Sequence, residues 1–126
     1  MKQYCHYQAP IGKLLLVGEN GLLEKLFFPN SAKACRIEED WQQNERVFQD
    51  ILQQLKDYFA GKLKTFKVEM HLEGTDFQRQ VWNTLQQIPY GETASYGDIA
   101  KRIHNPKACR AVGGANNKNP IPIIIP

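Results

Sequence analysis

The sequence predicts an α+β fold: a small N-terminal α/β lobe, an antiparallel sheet plus a helix, over residues 1–73, followed by a helical C-terminal lobe with a helix-turn-helix over residues 74–126. Three observations carry this expectation. Short apolar runs broken by turn residues open the chain, the apolar spacing changes to that of a helix from Asn44, and beyond Gly74 two capping boxes announce further helices. A length of 126 residues suits one ordinary domain or two small lobes sharing an interface, and 42% hydrophobic with 23% charged residues is the balance of a folded, water-soluble chain.

Taken in order, Tyr4 to Gln8, closed by Pro10-Ile11-Gly12, reads as a first strand. Lys13 to Val17, the turn Gly18-Glu19-Asn20-Gly21 and Leu22 to Phe28, ending at Pro29-Asn30, read as a hairpin. Val47, Phe48, Ile51, Leu52, Leu55, Tyr58 and Phe59 recur at helical spacing with Gly61 at the stop position, which predicts an amphipathic helix on the sheet. Phe66 to Met70 is a further candidate strand.

In the second lobe, Thr75-Asp76-Phe77-Gln78 is a capping box, and Phe77, Val81, Trp82, Leu85 and Ile88 form an apolar stripe that ends at Pro89-Tyr90-Gly91. Ser95-Tyr96-Gly97-Asp98 repeats the box before a short helix with Ile99, Ala100 and Ile103 turned inward. Asn105-Pro106 then reads as N-cap and first residue of a second helix, Pro106 to Asn117, so the pair spells helix-turn-helix. Asn119 to Pro126, punctuated by prolines, is expected to be an extended, largely buried segment.

Composition narrows the function classes. No apolar h-region opens the chain and no apolar run is long enough for a bilayer, so a cytoplasmic protein without membrane contact is expected. Cys5, Cys35 and Cys109 are an odd number at irregular spacing, which points to reduced thiols. No metal site is expected among Cys5, His6, Cys35, His71 and His104, because Cys5 and His6, adjacent on a strand, face opposite ways. Residues 1–73 hold ten basic and ten acidic side chains, leaving six basic against three acidic beyond, out of 16 and 13 in all. A basic excess confined to one lobe suits a polyanion such as DNA.

Gly91-Glu92-Thr93-Ala94-Ser95-Tyr96, Asn105 through Ala115 and Asn119 through Pro126 together resemble the signature of the O6-alkylguanine-DNA alkyltransferases, repair proteins that move an alkyl group from guanine to one of their own cysteines. The resemblance runs without a gap from about Thr75, and the Pro10-Ile11-Gly12 hairpin is similar to the family's N-terminal domain. It implies a partner, double-stranded DNA bearing O6-alkylguanine, and a stoichiometric suicide reaction that needs no cofactor.

The resemblance also implies roles. The second helix of the motif would enter the minor groove, for which Ala108, Ala111, Gly113, Gly114 and Ala115 are suitably small. Arg110 matches the arginine finger that fills the stack when a nucleotide is flipped. Tyr96 matches the tyrosine that donates a hydrogen bond to the guanine ring, and Asn119 the hinge asparagine; both would support catalysis. The family's nucleophilic cysteine would follow Pro126 directly, so the 126 residues taken alone would lack it; Cys109 reads instead as a small, partly buried side chain. An uncovered Ile123-Ile124-Ile125 implies that the chain continues, as a monomer when complete, or else self-associates. A non-catalytic binder of DNA lesions, a regulatory helix-turn-helix protein and an inactive fragment stay open as alternatives.

Overall fold

In the computed structural model, which describes residues 2–29, 37–89 and 91–125, the N-terminal unit is organised by two tight hairpins. Strands β1 (Gln3–Ala9) and β2 (Gly12–Glu19) pair antiparallel with Ala9 opposite Gly12, so Pro10 and Ile11 make the turn. Strand β3 (Leu22–Phe27) returns beside β2 through Asn20-Gly21, both at positive φ (54° and 79°), the backbone of a primed two-residue turn. Asn30, Cys35, Tyr90 and Pro126, named above, lie outside the described residues.

The sheet has the order β3-β2-β1-β4, and its edge corrects the sequence reading. The fourth strand is β4 (Gln42–Gln43), parallel to β1, a pair of exposed glutamines with no apolar alternation to reveal it. Phe66 to Met70, read as a strand, contributes one bridge: Leu23 pairs with Met70 and exchanges backbone hydrogen bonds with Glu69 and His71. The buried set Leu14, Leu16, Leu23, Leu26, Cys5 and Leu55 forms the core of this unit.

A 3-10 turn over Arg46–Phe48 leads into α1 (Gln49–Phe59), whose Ile51 and Leu55 are buried with Phe48 before it. The helix starts later than the apolar spacing implied, and Val47 stays 37% exposed. Gly61 at φ +75° ends it, a conformation that a β-carbon would disfavour.

Contacts divide the chain into two compact units, residues 1–71 and 72–126. The second unit is helical: α2 (Asp76–Gln86), α3 (Tyr96–Arg102) and α4 (Cys109–Asn117) pack pairwise on one another. Both capping boxes form with reciprocal bonds, Gln78 N–H to Thr75 Oγ1 (3.1 Å) and Thr75 N–H to Gln78 Oε1 (3.0 Å) in the first. Val81, Trp82, Leu85, Ile99, Ala100, Val112 and Ala115 make the core, and the Trp82 indole N–H donates to the Ala115 carbonyl at 3.0 Å, fastening α2 to α4. No helix among the described residues is long and apolar enough to cross a membrane.

Candidate nucleic-acid interface

Every side chain of the candidate site is placed by α3, α4 or the segment after them. Ser95 caps α3: its Oγ accepts from the Asp98 N–H, and the Asp98 carboxylate accepts from the Ser95 N–H, both at 3.0 Å. Those bonds, the one from the Ser95 backbone foremost, hold the Asp98 carboxyl below its ordinary value. Tyr96 is therefore the first helical residue, and it is 46% exposed.

The second helix of the motif begins at Cys109, three residues later than Asn105-Pro106 implied. Asn105 to Ala108 instead close a turn, with Ala108 N–H donating to the Asn105 carbonyl at 3.0 Å. Proline's fixed φ serves the second position of such a turn as well as a first helical position, so the same pair of residues supports either reading.

On α4 the helical period decides what faces out. Val112 and Ala115 are buried at 0% and 3%, whereas Arg110, Ala111 and Gly114 are exposed. Ala115, expected on the groove-facing surface, is thereby corrected to a core residue: it lies three positions after Val112, on the same inward stripe. Gly113 is half-buried because the Tyr96 ring lies over it; a β-carbon there would stand 3.1 Å from Tyr96 Cε2. Arg110 and Gly113 are three apart and share one face of α4. Tyr96 thus lies on the face of α4 from which the Arg110 side chain departs.

Beyond α4, Asn119 braces the chain with both ends of its amide. Its Oδ1 accepts from the Ile121 N–H at 2.9 Å and its Nδ2 donates to the Ile125 carbonyl at 2.8 Å. The segment is buried as expected, with Ile121, Ile124 and Ile125 at 0, 6 and 0%, but it is not extended. Ile125 N–H reaches back to the Ile121 carbonyl at 2.9 Å, and Ile123 takes φ +78° to make that reversal. A β-branched residue in this region carries backbone strain, offset here by burial on both sides.

The thiols differ sharply. Cys5 is fully buried on β1 and its thiol is pushed up to about 12, by burial first and the Glu45 charge second. Cys109, read from sequence as partly buried, is exposed at the start of α4.

Two family models between them match nearly all of the chain. One describes a 6-O-methylguanine DNA methyltransferase, ribonuclease-like domain, and covers residues 3–72; the other describes the DNA binding domain of the same protein and covers residues 76–126. The chain belongs to the 6-O-methylguanine DNA methyltransferase family. A methylated-DNA--protein-cysteine methyltransferase of Methanosarcina acetivorans is 50% identical over 98% of this chain and 79% of its own length. One of Mycobacterium tuberculosis is 46% identical over the whole chain and 76% of its own. Among solved structures, Mycobacterium tuberculosis OGT in complex with DNA superposes with a TM-score of 0.89 at 45% identity, covering 98% of this chain and 74% of that one.

In this methyltransferase chain the unit matching the DNA-binding domain is the one that holds Tyr96, Arg110 and Asn119. Sequence reasoning missed one neighbour of theirs, Asn116, whose Nδ2 lies 3.4 Å from the Tyr96 hydroxyl. The signal available was spacing, since Asn116 follows Gly113 by one helical step of three on the face that meets Tyr96.

Proposed function

We propose that this chain binds double-stranded DNA through α4, turns an O6-alkylguanine out of the stack, and serves the transfer of the alkyl group to a protein cysteine in a single, stoichiometric turnover. The observation that carries the reading is the shared face: an exposed phenol and an exposed arginine on one side of a helix on which Ala111 and Gly114, also exposed, are too small to obstruct a narrow groove. Support comes also from the similar Mycobacterium tuberculosis protein solved with DNA.

Each residue then has a task. Arg110 takes the place of the extruded base, its plane stacking where the guanine was while its N–H groups donate, which offsets part of an unstacking cost of a few kcal/mol. Ala111 and Gly114 let the helix backbone approach the sugar edges, and Gly113 leaves room for the Tyr96 ring. Tyr96 donates its phenolic hydrogen to the guanine ring. When a thiolate sulfur bonds to the alkyl carbon, the carbon–O6 bond breaks and its electron pair passes to the guanine, where that donor stabilises it.

Asn119 holds the segment up to Ile125, and the family pattern sets the acceptor cysteine directly after Pro126. On this reading residues 74–126 form the DNA-contacting lobe, and among the described residues of 1–73 no side chain takes part in the transfer. No cofactor is called for, and the place of action is the cytoplasm.

The test is comparative affinity. Duplexes with and without one O6-methylguanine are titrated with the chain and with its Arg110→Ala and Tyr96→Phe variants. The chain should favour the lesion and both variants should lose most of that preference; equal affinity of the unaltered chain for the two duplexes would overturn the reading.

A further inference from the structure

Tyr96 is held by α4 at two points. Its ring lies on Gly113, where a β-carbon would come within 3.1 Å of Cε2 and 3.3 Å of Cδ2, so the residue beneath the ring has to be small. Its hydroxyl is met by the Asn116 side chain, the amide Nδ2 donating across 3.4 Å. Both contacts come from one stripe of one helix, and α4 is itself fixed through the Trp82 bond to Ala115. The ring is therefore seated on the helix that carries Arg110.

The direction of the Asn116 bond has a chemical consequence. A phenol owns one hydrogen to donate and two lone pairs to accept with. An exposed hydroxyl would ordinarily rotate among water partners. With an amide N–H occupying a lone pair, the phenolic hydrogen is left pointing elsewhere, and a hydroxyl that accepts is polarised into a stronger donor.

We infer that Asn116 is a positioning residue that orients the Tyr96 hydroxyl to donate to the flipped guanine. This deepens the function proposed above and rests on it. Asn116 touches no reacting atom; it acts through Tyr96, and it contributes to discrimination between alkylated and normal guanine by fixing the direction of a single hydrogen.

Asn116→Asp is the informative change, because it keeps the shape and reverses the polarity. A carboxylate would accept the phenolic hydrogen and withdraw it from the lesion. In the 126-residue chain, Asn116→Asp and Asn116→Leu should each lower the ratio of affinities for O6-methylguanine over unmodified duplex by about five-fold, the worth of one ordinary hydrogen bond. In the Tyr96→Phe background the same changes should have no further effect, which separates positioning from general damage to α4.

Unchanged preference in Asn116→Asp would overturn the inference, since an amide turned the other way tolerates that change. An equal loss with and without the Tyr96 hydroxyl would overturn it too. A direct readout keeps this proposal apart from the one beneath it: the carbon-13 resonance of Tyr96 Cζ should move in free Asn116→Leu protein, and its constancy refutes the contact. A moved resonance in a chain that ignores the lesion supports the contact and refutes the proposed function.

Discussion

Replacing Trp82 by Phe should weaken the second unit by about 3 kcal/mol, and the figure can be built from two parts. Trp82 is 2% exposed, so the smaller ring leaves a void; losing about three buried ring atoms costs roughly 2 kcal/mol at about 0.8 per carbon. The indole N–H also stops donating to Ala115. That carbonyl keeps a second partner, the Lys118 N–H at 3.1 Å, so it is not orphaned and the bond's loss costs only about 1 kcal/mol. Urea unfolding followed by far-ultraviolet circular dichroism measures the total, as a lower midpoint at an unchanged slope. Benzothienylalanine at position 82 keeps the bicyclic shape without the donor and should lose only the smaller part. A loss below about 1 kcal/mol for Trp82→Phe would refute the packing described for α2 and α4.

Arg110→Lys should abolish lesion preference as thoroughly as Arg110→Ala, while keeping more of the affinity for unmodified duplex; charge alone cannot stack, and parallel titrations at fixed salt read the difference. Ser95→Ala removes the cap of α3 and should cost about 1 kcal/mol in the same denaturation assay. The carboxyl of Asp98 is depressed in the folded chain, so its contribution is present above the ordinary value of 3.8 and is lost as pH falls through the folded one; an acid titration should show Asp98→Asn flattening that loss. Cys5 is the opposite case: its raised thiol contributes stability that is complete below 9.0 and is lost as pH climbs toward about 12. In a Cys35→Ser background at pH 8, Ellman's reagent should therefore modify Cys109 quickly and Cys5 only as the fold opens.

Much of this architecture is legible in the sequence, and where it is not the reason is physical. Thr75 and Ser95 announce their helices correctly because a capping box is closed by residues three apart and needs nothing from the rest of the fold. Asn20-Gly21 is equally local, since only a few residue types accept two successive positive φ angles. Asn105-Pro106 misleads by three residues because a proline-led turn and a proline-led helix share their first backbone angles. β4 is invisible for a different reason: two exposed glutamines pair with β1 through their backbones, and no side-chain pattern reports that. The prolines after Asn119 imply extension, yet the segment reverses on itself through a positive φ at Ile123, which nothing local favours; the Asn119 amide and burial of the neighbouring isoleucines hold it there.

In sequence the small residues of α4 suit a surface facing a narrow groove, and the structure gives them three separate jobs. Ala115 is small because it packs inward and lends its carbonyl to Trp82. Gly113 is small because the Tyr96 ring lies on it, and only Ala111 and Gly114 are small and open to a ligand. Substitutions along the helix should therefore separate by phenotype: bulk at Ala115 acts on stability, bulk at Gly113 displaces the phenol, and bulk at Gly114 or Ala111 weakens binding to every duplex alike. Gly113→Ala is the sharpest case. Its methyl group needs the ring to shift by a few tenths of an ångström, and Asn116 would then lose a bond already 3.4 Å long. It should cost lesion preference with little change in stability or in affinity for unmodified duplex; equal weakening for both duplexes would place Gly113 on the groove-facing surface after all.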